Sequence, residues 1–331
     1  LVVYGLWGLG LVVAFMVFYY LLPGFIAVLA LAMYALFTFA IYKAMGVSES
    51  LPAARAVTLL FFLGAAWYLY RALALLFDAR AGRYAALVFL LLPLGVFYSR
   101  SAHYDVTLIF FSHAFFYHGL RFLEGRAWRH FAWATLAGAV AFMMKAPYCF
   151  YFGFPLLAWA WYRREERSWR TLFRLAALFV LPLLAALAFN LHRVAVEGSE
   201  PQSLLLAQKW TGKSQSDWFF GSLAQRADPQ RWKLIARVAL RFVFTPLGAL
   251  AALWACCVPV PREWRRGAWC VGAWWVGIGA YVMLVFPMIG SLHDYYSLPL
   301  LAPAAVMIGL FLAWLARPGA AGDARGWARM V

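Results

Sequence analysis

Apolar runs of membrane-spanning length follow one another almost without pause in this sequence, and that repetition constrains the fold more than any motif does. Crossing a bilayer as a helix takes roughly 20 mainly apolar residues, because every backbone polar group has to be satisfied within the segment. The first 42 residues carry no charged side chain at all. On the same measure, runs fall at about 2–22, 25–45, 54–77, 84–98, 105–121, 130–146, 148–162, 171–190, 239–258, 268–287 and 296–316. Of the 331 residues 66% are hydrophobic and 13% charged, more apolar surface than a water-soluble core of this size hides. The expected fold is all-α, a polytopic transmembrane bundle of about ten or eleven helices. Residues 1–331 read as one transmembrane domain, with a long outer loop at 191–238 and a polar cytoplasmic tail at 318–331.

Sidedness follows from the arginines. The chain carries a net charge of +16, from 29 basic and 13 acidic residues. Its arginines cluster around Arg71, Arg80 and Arg83, around Arg121, Arg126 and Arg129, from Arg163 to Arg174, around Arg262, Arg265 and Arg266, and from Arg317 onward. These loops alternate with the others, as the positive-inside rule requires of a cytoplasmic set, so the charge is accounted for without nucleic acid as a partner. The outer set is then 46–54, 98–105, the turn at 145–148, 191–238 and 288–296. The 191–238 segment mixes charges with Trp210, Trp218, Phe219, Phe220 and Trp232, which suits short helices at the interface as well as it suits a solvated loop. Cys149, Cys256, Cys257 and Cys270 form no spaced pair and suggest neither zinc nor redox chemistry.

Unusual polar residues gather on the outer set. In FYSRSAHYD, Phe97–Asp105, an arginine, a histidine and an aspartate sit where an ionisable group is costly unless paired or used. Arg100 and Asp105 suit either an ion pair that pins the loop or a substrate site, with His103 as a polar helix-end residue or metal ligand. Lys145, in MMKAPY, ends an apolar run with no acid nearby in sequence. As a point charge it is suited to a phosphate, although a lysine that snorkels to the interface looks the same. HDYY, His293–Tyr296, places His293, Asp294, Tyr295 and Tyr296 before the last helix, where tyrosines also form interfacial belts. GVSESLPAAR adds Glu49 and a further outer cation, Arg55. Neither a P-loop nor GxGxxG, GxSxG or HExxH occurs.

GVSESLPAAR, FYSRSAHYD, the lysine-alanine-proline turn and HDYYSLPLLAP, in this order and on one side, resemble bacterial GT-C glycosyltransferases of the dolichyl-phosphate-mannose-protein mannosyltransferase type. The arrangement is also similar to that of the aminoarabinose transferases. The resemblance runs from about Gly46 to about Leu315. It implies a polyprenyl-phosphate-linked sugar donor, inverting transfer to a lipid, glycan or protein acceptor at the periplasmic face of a bacterial inner membrane, and often a divalent metal. It makes Lys145 the lysine that contacts the carrier phosphate, assisted by Arg100 and Arg55. Asp105 becomes the acid that organises catalysis, and His103 and His293–Tyr296 line the substrate site.

The pattern breaks at one point. The family's catalytic base is an aspartate in the first outer loop, commonly followed by a glutamate, and no acid precedes Glu49 here; LAMYALFTF stands where a lysine-proline-proline stretch is expected. The expectation is therefore a fragment lacking its first helix and catalytic loop, or an inactive homologue, with Glu49 as the substitute base. The competing functions are a flippase for lipids or sugar-lipids and a non-catalytic membrane scaffold.

Overall fold

A computed structural model of the chain describes residues 51–101, 103–125, 127–145, 147–162, 169–199, 220–289 and 293–317. The expected runs at 2–22 and 25–45, Glu49 and the tail from 318 lie outside the described residues. Within them every regular element is a helix and none a strand. Five helical stretches are long and apolar enough to span a membrane: Ala54–Leu76, Tyr104–Gly125, Trp169–Phe189, Arg262–Leu284 and Asp294–Leu315. Two bent pairs bring the number to seven. The chain is a multi-pass membrane protein.

Helix α1 (Leu51–Leu76) leads through a two-residue turn into α2 (Ala79–Leu91). Asp78 caps α2, its carboxylate accepting the Ala81 N–H at 2.8 Å and so satisfying one of the helix's free donors. The run expected as a single helix at 84–98 is two, because Leu92 adopts ψ 132° ahead of Pro93, which starts α3 (Pro93–Ser99). Proline clashes with a helical conformation at the residue before it, and the two pieces meet at a bend of 65°. Helix α4 (Tyr104–Gly125) and α5 (Trp128–Lys145) follow as an antiparallel pair. Pro147 then opens a separate short helix, α6 (Pro147–Phe150), before α7 (Gly153–Tyr162).

Helix α8 (Trp169–Ser199) runs beyond the 171–190 expected from its apolar residues. Beyond it, α9 (Leu223–Ala227) and α10 (Pro229–Val238) are short helices within the stretch read as an outer loop. A π-helical turn, Ala239–Phe244, then meets α11 (Pro246–Cys257) at 90°, where one helix was expected over 239–258. The corner is Thr245, at φ 63° and ψ 156°, a backbone region in which glycine alone is at ease. Its hydroxyl accepts the Gly248 N–H at 3.1 Å and caps α11. The chain closes with α12 (Arg265–Leu284), a 3-10 segment at Asp294–Leu300 and α13 (Leu301–Leu315).

Packing joins α1 to α2 and α4, α5 to α4 and α8, α12 to α7, and α13 to α2. The last contact is close because small residues meet there. Ala305, Gly309 and Ala313 form one ridge of α13, and a Cβ added at Gly309 would stand 2.5 Å from backbone atoms of Ala85. At one end of the bundle Asp78 binds the Trp264 indole N–H at 3.0 Å, while Arg317 lies across the Trp264 ring and reaches Glu263 at 3.3 Å. Three of the arginine-bearing turns therefore share an end. FYSRSAHYD, Lys145 and HDYY converge on the other.

Candidate functional site

The site begins with two helix ends of opposite polarity. Asp105 is in the first turn of α4, where the positive end of the helix dipole favours a carboxylate; Lys145 is the last residue of α5, where the negative end favours a cation. Because α4 and α5 are antiparallel neighbours, these ends coincide, and Lys145 Nζ donates to Asp105 Oδ1 at 2.6 Å. The carboxylate is 0% exposed and the lysine side chain 14%. Charges so far from water persist only when paired.

Four tyrosines enclose the ammonium. Its distance to the ring centres is 4.5 Å for Tyr295 and Tyr296 and 5.2 Å for Tyr104 and Tyr148. Each such contact with a desolvated cation contributes on the order of 1–2 kcal/mol, so the rings replace part of the lost hydration. The 3-10 segment that carries two of them is pinned by buried hydroxyls: Tyr148 donates to the Tyr295 carbonyl at 2.8 Å and Tyr281 to that of Tyr296 at 2.7 Å. Asp294, at the start of the segment, accepts from the Tyr98 hydroxyl.

His103 completes the outer side. Its ring stacks on Tyr104, and its Nδ1 takes a long bond of 3.4 Å from the Asp105 N–H. The same Nδ1 lies 3.0 Å from Asp105 Oδ2, an ion pair only for a doubly protonated ring; with the neutral ring accepting the Asp105 N–H, Oδ2 is a buried carboxylate oxygen without a donor among the described residues. His293 approaches Tyr295 with ring centres 5.3 Å apart. The arrangement thus offers one cation, one unsatisfied acceptor beside it and a set of phenols, at one end of an apolar bundle.

Residues 33–191 match the family described as Dolichyl-phosphate-mannose-protein mannosyltransferase. Among solved structures, the chain is similar to ArnT from Cupriavidus metallidurans, both bound to undecaprenyl phosphate and in the apo state, with a TM-score of 0.50 and 18% identity in each case. The fold is similar to that of ArnT. The similarity covers 89% of this chain, which spans about half the length of the ArnT chains, 51% of one and 50% of the other. No curated protein sequence matches.

Within this bundle the residues singled out from the sequence separate into two groups. Asp105, Lys145, His103, Tyr295 and Tyr296 come together, with Asp294 and His293 beside them. Arg100, at the end of α3, and Arg55, in the second turn of α1, are exposed, and neither guanidinium makes a hydrogen bond or ion pair among the described residues. The Arg100–Asp105 pair weighed from the sequence does not form, since Asp105 turns inward to Lys145. Tyr98, Tyr104, Tyr148 and Tyr281 were missed. Tyr98, Tyr104 and Tyr148 lie inside the quoted motifs, each within three residues of a charged or histidine candidate, which was the available signal.

The divalent metal that a GT-C resemblance implies finds few ligands here. Among the described residues no three His, Cys, Asp or Glu side chains are placed to hold an ion, and the Asp105 carboxylate already faces an ammonium. The described residues do not fit such a metal, and no step below depends on one.

Proposed function

We propose that this chain is a membrane glycosyltransferase that moves a sugar from a polyprenyl-phosphate donor to a lipid, glycan or protein acceptor at the periplasmic face of a bacterial inner membrane. The observation that carries the reading is the caged Asp105–Lys145 pair at the end of the bundle where the outer loops meet. The family match and the likeness to a structure holding undecaprenyl phosphate support it.

In this reading the acceptor oxygen or nitrogen attacks the anomeric carbon, the carbon–oxygen bond to phosphate breaks, and the polyprenyl phosphate departs with the electron pair. Lys145 stabilises the charge that grows on that phosphate, in surroundings of low polarity where a single cation is effective. Asp105 holds the lysine through Oδ1 and takes on Oδ2 the proton that the acceptor's O–H or N–H gives up as it attacks. Because the pair is buried, substrates reach it when the segment bearing Tyr295 and Tyr296 moves aside. Asp294 is engaged by Tyr98, and Glu49, the substitute base read from the sequence, lies outside the described residues.

The tightness of the pair also suits a scaffold, in which the two charges serve only to join α4 to α5. Charge removal separates the two readings. Breaking a buried pair on one side costs about 3–5 kcal/mol, whereas removing both charges is close to neutral. Asp105→Asn and Lys145→Met alone are expected to lower the yield and melting temperature of the purified chain, and the double variant to restore both. If the double variant also binds undecaprenyl phosphate at least about tenfold more weakly than the wild type in a detergent titration, the lysine has a ligand. Unchanged binding in the refolded double variant would leave only the scaffold.

A further inference from the structure

A second polar cluster lies at the far end of α1, α4 and α5 and takes no part in the proposed transfer. Each helix presents an aromatic and a basic or imidazole side chain one turn apart: Trp67 and Arg71 on α1, Tyr117 and Arg121 on α4, His130 and Trp133 on α5. The Arg71 guanidinium donates to the Tyr117 hydroxyl at 2.9 Å and lies 5.5 Å from the centre of the Trp67 ring. His118 and His130 approach through their Nδ1 atoms at 2.9 Å.

Two histidine nitrogens so close suggest a metal, but the surroundings oppose a cation. Arginines occupy all three helix ends, and among the described residues no third ligand joins the pair. The imidazoles instead share a hydrogen bond. What the cluster lacks is negative charge. Glu124, 3.6 Å from Arg121, is the one acid on these turns, while Arg121 Nε and His130 Nε2 are buried without hydrogen-bond partners among the described residues. Buried polar atoms left without partners are costly, and an anion would satisfy the arginine directly.

The surface beside the cluster narrows the choice of anion. Trp67 and Trp133 are each 55% exposed, and the exposure continues toward the bundle centre through Leu63 and Leu60 on α1 and Leu136 on α5. An apolar stripe running from a cationic site into the hydrocarbon depth is what acyl chains attached to a phosphate would cover. We propose that Arg71, Arg121 and the His118–His130 pair bind the phosphate of an anionic phospholipid in the leaflet opposite the transfer site, with its chains along Leu60, Leu63 and Leu136.

The test uses the purified full chain in a zwitterionic detergent, titrated with phosphatidylglycerol or phosphatidylcholine and read by native mass spectrometry. The wild type is expected to prefer phosphatidylglycerol by about tenfold, and Arg71→Gln/Arg121→Gln to lose most of that preference. Arg262→Gln, which removes a charge elsewhere at the same end, is expected to keep it. An equal loss in Arg262→Gln would reduce the effect to general surface charge and overturn the site. So would the absence of any preference, or competition by inorganic phosphate at a concentration similar to that of the lipid. Melting in phosphatidylcholine micelles checks that the double variant is folded. Should it not be, Arg121→Gln alone, at a side chain 39% exposed, is expected to show a smaller loss in the same direction, and full retention of the preference there would overturn the site.

Discussion

Tyr148 and Tyr281 do more for the candidate site than contribute rings, because their hydroxyls, on fully buried side chains, hold the carbonyls of Tyr295 and Tyr296. Phenylalanine at either position keeps the shape and leaves a carbonyl without its donor, at a cost of about 1–2 kcal/mol. Thermal unfolding of Tyr148→Phe and Tyr281→Phe is expected to show that loss for each. The double variant is expected to lose less than the sum, since both bonds restrain one 3-10 segment and contacts that share a target are not additive. A full sum would mean that the segment is held independently at its two carbonyls.

At the scale of elements, the least comfortable backbone is at Thr245. Its conformation costs on the order of 1–3 kcal/mol for a residue with a Cβ, partly offset by the cap its hydroxyl makes on α11. Thr245→Gly removes the strain and gives up the side-chain cap, so it is expected to raise the melting temperature or leave it unchanged. Thr245→Ala keeps the strain without the cap and is expected to lose about 1 kcal/mol or more. The corner was not legible in the sequence, since an apolar run shows length but not direction. The bend at Leu92–Pro93 was legible in principle, from the proline alone, yet the run around it looks like one span. Several spans, and the gathering of arginine-bearing turns and polar motifs at opposite ends, were readable because burial in lipid imposes both on composition. The tyrosine cage was not, because an interfacial aromatic belt has the same residues at the same positions, and only the packing of α4, α5 and the 3-10 segment tells the two apart.

For the whole molecule, cohesion depends on how near the helices come. Gly309→Leu would place a branched side chain where Ala85 already stands, and separating α13 from α2 would also draw the Tyr295–Tyr296 segment off Lys145. The expected result is loss of monodisperse protein in size-exclusion chromatography, with Gly309→Ala in between. The cage also has a history within each molecule, because its parts are made at different times. Asp105 leaves the ribosome 40 residues before Lys145, about 2–8 s at roughly 5–20 residues per second, and well before Tyr295 and Tyr296. For that interval a carboxylate destined for 0% exposure has no counter-charge, which keeps the start of α4 at the aqueous edge. The order of synthesis thus makes α5 the helix that commits α4 to the membrane.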